Sequence, residues 1–114
     1  MVVINHAPYG GSLARAGLDV ALATAAFDQP VELLFTGEGV FNLLPEQHSD
    51  ALGVKNIGKL LGSLPLYDID TVYADVESLR HYGLDEDRLV VPVSAIAREQ
   101  VHALLSSADH LLSC

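Results

Sequence analysis

Short continuous apolar runs alternate along the chain with stretches of helical spacing. Val2-Val3-Ile4 carries the β-branched, uninterrupted pattern of a strand buried on both faces, and Val31 to Thr36, after the break at Asp28-Gln29-Pro30, reads as a second strand. Thr71-Val72-Tyr73-Ala74-Asp75, Leu89-Val90-Val91 and His110-Leu111-Leu112 predict three further strands. From Leu13 to Phe27 the spacing is helical, and the helix is apolar around most of its circumference. Such a helix needs cover on more than one side. The turn residues His6 to Ser12 precede it and make Ser12 a candidate N-cap. Ile57, Leu60, Leu61 and Leu64 predict a helix over Asn56 to Leu64, ended by Pro65. Glu77 to Tyr82 predicts a helical turn stopped by Gly83. Ser94 is the expected cap of a last amphipathic helix with the stripe Ala97, Val101, Leu104, Leu105 and Ala108.

Strands that alternate with helices predict an α/β fold: a three-layer α/β/α sandwich around a mostly parallel five-stranded sheet. The 114 residues contain no repeat, linker or low-complexity stretch, so one domain over 1–114 is expected.

Composition narrows the function classes. Half the residues are hydrophobic and the mean hydropathy is +0.32, which supplies a core and leaves apolar surface for partner subunits. No apolar run approaches the roughly 18 residues needed to span a membrane. Met1-Val2-Val3-Ile4 runs straight into a strand without the basic region of a signal peptide, so a cytoplasmic location is expected. The formal charge of −9 and the isolated lysines Lys55 and Lys59 argue against direct nucleic-acid binding. One cysteine, Cys114, allows no internal disulfide and no thiolate-rich metal site.

Candidate chemistry lies in the loops after strands. Gly37-Glu38-Gly39 is not a dinucleotide fingerprint, because Asn42 stands at the third glycine's place and Glu38 would repel a phosphate. Gly10-Gly11-Ser12 reads first as a turn with a cap, and is also a candidate anion-binding turn through free backbone N–H groups. His6, His48, His81, His102 and His110 form no i, i+4 pair and so no zinc motif. Ser12, His6 and Asp19 contain the atoms of a triad but lack the surrounding nucleophile elbow. Val40, Phe41, Leu43 and Leu44 are four large apolar groups in a connector, placed either in the chain's own core or as interface anchors.

The segments APYGGSLARAGLDVALATAAF (Ala7 to Phe27), FTGEGVFNLLPEQ (Phe35 to Gln47) and LGSLPLYDIDTVYADVESLRHYGL (Leu61 to Leu84) resemble, in this order, the TusC/DsrF branch of the DsrE-like sulfur-relay proteins. The resemblance covers nearly the whole chain. It implies an α/β/α sandwich and a non-catalytic subunit without a cofactor or metal. It also implies assembly with TusB/DsrH-like and TusD/DsrE-like subunits. That complex hands persulfide sulfur from a donor protein to a TusE/DsrC-like acceptor, for tRNA 2-thiouridine synthesis or sulfur oxidation. Under this reading Val40, Phe41, Leu43 and Leu44 serve structure and interface. The alternatives are a sulfurtransferase that uses Cys114 as persulfide carrier, and a flavodoxin-like small-molecule binder that uses the Gly10-Gly11 turn.

Overall fold

A computed structural model of the chain describes residues 1–5, 13–27, 31–43, 61–67, 69, 71–85, 89, 91–108 and 111–113. Five strands form one sheet: β1 (Val2–Ile4), β2 (Leu33–Phe35), β3 (Val72–Asp75), β4 (Ser94–Ile96) and β5 (Leu112–Ser113). Every pairing is parallel and the order is β4-β3-β2-β1-β5. Val2 stands opposite Leu33 on one side and Leu112 on the other. The helices are α1 (Leu13–Ala26), α2 (Val76–His81) and α3 (Arg98–Ser107), with 3-10 turns at Gly37–Leu43 and Leu64–Tyr67. Among the described residues no helix is long and apolar enough to cross a membrane.

The period-two side-chain alternation of each strand builds two cores. Val2, Ile4, Leu33, Phe35, Val72 and Ala74 face one side, where Leu18 and Ala21 of α1, Leu61, Leu64 and Leu79 of α2 cover them. Val3, Leu34 and Ile96 face the other, under Val101, Leu104 and Leu105 of α3. The expected three layers follow from strand order. From β1 to β4 the chain steps one way across the sheet, with its helical connections on one face. The return from β4 to β5 runs the opposite way, and a right-handed crossover then puts α3 on the opposite face.

Helix α1 divides as its composition requires. Gly17, Leu18 and Ala21 are buried, Leu22 and Ala25 pack against the core, and Ala16, Val20, Ala23 and Phe27 are exposed. Helix α2 begins at its N-cap Asp75, which accepts from Glu77 N (3.1 Å). It ends in a Schellman motif: Gly83 has φ +67°, and Leu84 N donates to Leu79 O at 2.8 Å.

Two expectations are corrected. Leu89 and Val91 stand outside the sheet, half-buried against the core, and the fourth strand is Ser94–Ile96. Pro92 follows the apolar run and has no N–H to give a ladder, so pairing starts beyond it. Ser94 therefore lies in β4 and does not cap α3. The N-cap is Ala97, whose N–H donates to the Gln100 side chain at 3.1 Å. Most of the expected helix from Asn56, as well as Val90 and His110, falls outside the described residues.

The turn Gly37–Leu43 lies against the end of β1. Thr36 N donates to Ile4 O at 3.1 Å, and Gly39 N donates to Thr36 O at 2.9 Å. A Cβ on Gly39 would overlap the Ile4 carbonyl oxygen and lie 2.6 Å from its carbon. Gly37 has φ +55°, where a side chain is strained. This close approach carries Val40 and Leu43 into the core at 0% exposure. They are core residues, which corrects the expectation that their side chains anchor an interface. Leu44 is outside the described residues.

Two measurements check this packing. Gly39→Ala should destabilise the fold by more than about 3 kcal/mol, because backbone cannot yield as a flexible side chain can. Gly62→Ala, where no described atom lies within 4 Å of the added carbon, should be neutral or stabilising by up to about 1 kcal/mol in the same denaturant series. On the α3 side of the sheet, partial burial and then the Glu32 carboxylate hold the Tyr73 phenol above its ordinary value. Stability from a group raised in the folded state is complete below its unfolded value, about pH 10 for tyrosine, and is lost as the pH rises through the folded one. Thermal melts above about pH 10 should therefore fall more steeply for the native chain than for Tyr73→Phe. Coincident slopes would refute the assignment.

Candidate functional site

Open parallel sheets place their sites at the carboxyl ends of the strands, where loops turn into helices. At that edge Gly37, Asp75, Glu77, Ser78, His81, Tyr82 and Arg98 line a cleft of about 290 Å³. Each arrives from the end of a strand: Gly37 after β2, Asp75 to Tyr82 from β3 through α2, and Arg98 after β4.

Asp75 organises the cleft. One carboxylate oxygen caps α2 through Glu77 N. The other accepts from the Thr36 hydroxyl at 3.1 Å and the Ser78 hydroxyl at 3.0 Å. Ser78 Oγ in turn accepts from Gly37 N at 2.9 Å. The network ties the turn after β2 to the turn after β3. Arg98 and Glu77 pair across the mouth at 2.8 Å, with both side chains more than half exposed. An ion pair so open to water contributes at most about 1 kcal/mol. His81 meets Tyr82 edge-on at 4.8 Å, and Tyr82 also meets the half-buried Phe41 at 4.6 Å with the rings tilted 55°.

Chemically the cleft is occupied with itself. The Ser78 hydroxyl gives its proton to a carboxylate and accepts a backbone N–H, and among the described residues no hydrogen bond joins it to His81. A serine nucleophile needs a base within hydrogen-bond reach, and among the described residues the lining contains no thiol or lysine. The arrangement fits a latch between two loops.

The residues singled out in the sequence are spread differently. Phe41 reaches this edge through Tyr82. The anion-binding turn Gly10-Gly11-Ser12, His6, Leu44 and Cys114 lie outside the described residues. Ser113, next to Cys114 in the chain, accepts from Asn5 Nδ2 at 3.1 Å. That bond lies at the ends of β5 and β1, where the strand order reverses. The Asp75 network was missed by sequence reasoning. One signal was available: an aspartate directly after an apolar strand and ahead of a helical stretch is an N-cap pattern.

Three comparisons bear on identity. The sequence model of the DsrE/DsrF-like family matches residues 1–114. A protein TusC homolog of Pseudomonas aeruginosa is 36% identical over 99% of this chain and 95% of its own length. A protein TusC of Klebsiella pneumoniae is 38% identical, over 96% of this chain and 93% of its own. The crystal structure of the ychN protein from E. coli matches with a TM-score of 0.84 at 21% identity, over 99% of this chain and 97% of that one. At that identity the likeness speaks for the fold. With a family match at every position and relatives beyond one-third identity along almost the full length, the chain belongs to the DsrE/DsrF-like family.

Proposed function

We propose that the chain is a non-catalytic interaction subunit of a cytoplasmic sulfur-relay complex. It assembles with TusB/DsrH-like and TusD/DsrE-like subunits and takes part in passing persulfide sulfur from a donor protein to a TusE/DsrC-like acceptor. The sulfur serves tRNA 2-thiouridine synthesis or sulfur oxidation. The observation that carries this reading is similarity, over almost the full length of both chains, to proteins named TusC. A relay step needs a thiolate near neutral pH, held down by a cation or a helix N-terminus. Among the described residues, none that lines the cleft beside Asp75 and Ser78 carries a thiol. Among the described residues 40–43, Phe41 is the one that is not fully buried, and at the edge of the cleft it is placed to meet a partner.

One observation favours a second reading. The Asn5–Ser113 hydrogen bond sets the residue before Cys114 at the switch point of the sheet, where parallel folds gather their chemistry. A sulfurtransferase with Cys114 as persulfide carrier would use that position. Reconstituting the complex with Cys114→Ser, and following labelled sulfur to the acceptor by mass spectrometry, separates the two. Transfer at the native rate is expected. Loss of transfer with assembly intact would make Cys114 a carrier.

A further inference from the structure

The opposite edge of the sheet, at the amino ends of the strands, has a different character. There an apolar cavity of about 160 Å³ is lined by Leu61, Leu64, Pro65, Ile69, Val72, Val91 and Pro92. Its inner wall is buried: Leu61, Leu64, Ile69 and Val72 are at most 6% exposed. Pro65 and Pro92 are exposed and form its mouth. Proline fixes its own φ, so the mouth is held open by two stiff residues. A cavity of about 150 Å³ lined by aliphatic side chains accepts benzene. The volume therefore suits one leucine- or phenylalanine-sized side chain.

The surface beside the mouth is apolar too. Leu66 follows Pro65 and is 84% exposed, and Tyr67 is 40% exposed. The 64–67 turn packs on α1. At the end of α1 nearest the start of β2, Phe27 is 79% exposed. A pocket for one anchor, surrounded by apolar residues that exclude water, is the arrangement that concentrates binding energy at protein interfaces. Its partner has a charge constraint. The exposed Asp19 precedes Val20 on α1, and in the sequence Asp28 follows Phe27 while Asp68 follows Tyr67. Lys59 and Arg88 are the basic residues nearest the pocket-lining segments in sequence, and the chain as a whole carries −9. A second copy would bring the same acidic charge against it, which opposes association.

We propose that this amino-edge pocket receives an apolar anchor side chain of leucine or phenylalanine size from a different, less acidic protein subunit, with Leu66, Tyr67 and Phe27 packing around the anchor. This rests on the reading of the chain as a subunit of a complex and assigns one of its contact surfaces. The pocket lies across the sheet from the Asp75 cleft, so the two edges can be occupied together.

The test measures association of the full chain with TusB/DsrH-like and TusD/DsrE-like subunits by sedimentation velocity, alongside thermal melts of the chain alone. Val91→Phe fills the pocket from its half-buried rim, and Leu66→Asp places a charge on the exposed turn without touching the core. Each should weaken association at least about tenfold, as hot-spot substitutions do, while the melting temperature of the chain alone is unchanged or raised. Benzene, used as a probe of the free chain, should raise its melting temperature, and Val91→Phe should abolish that rise. Native-level association of both variants would overturn the pocket and leave the subunit reading intact. Failure of the native chain to associate at all would sink both. Self-association of the native chain that Leu66→Asp abolishes would make a second copy the occupant. A lowered melting temperature for Val91→Phe with no benzene response would show that the chain fills the pocket itself. Either result overturns the proposal.

Discussion

The packing of the turn after β2 onto the end of β1 depends on a backbone-to-backbone contact. Gly39 sits so close to the Ile4 carbonyl that no side chain fits between them, and Thr36 donates a hydrogen bond to the same oxygen. The turn Gly37–Leu43 is thereby drawn inward. Val40 and Leu43 reach the core, and the N–H of Gly37 is presented to Ser78. Move the turn outward by the width of a methyl group and these contacts weaken together, because close-packed interiors leave no slack. The two glycines that first suggest a phosphate loop are explained by sterics: one accepts a positive φ and the other permits close approach.

Much of the architecture was legible because its periods are unambiguous. Short apolar runs stood where β1 and β2 form, the long apolar helix appeared within one residue of its expected end, and Gly83 stopped α2. Where reading failed, the cause is physical. Leu89 and Val91 pack half-buried against the core, a burial that mimics a strand. The true β4 hid because an edge strand can carry an exposed serine. The cleft was harder still. Thr36 and Asp75 are 39 residues apart in sequence, and only the β2–β3 register brings them within hydrogen-bond distance. The assignment of Val40 and Leu43 to the core depends on Gly39's contact with Ile4, which no local pattern encodes.

The sheet separates two chemistries by direction alone. Its carboxyl edge gathers hydroxyls, carboxylates and an arginine that satisfy one another. Its amino edge gathers aliphatic side chains and prolines around an unfilled volume. Parallel pairing makes this possible: every strand ends at the same edge, so each loop type accumulates on its own side. The fold thus sets two different surfaces at opposite edges of one sheet.

The strand order also shapes how the chain reaches its native state. The inner strand β1 gains β2 as a neighbour early, from residues about thirty positions away, but its other neighbour is β5, so that residue 2 pairs with residue 112. Contacts of such long range form late, because loop closure must be completed before they stabilise anything. Until then the free edge of β1 offers unpaired N–H and C=O groups to any strand nearby. During synthesis that edge stays open while most of the chain is made, a window in which another chain could pair there first.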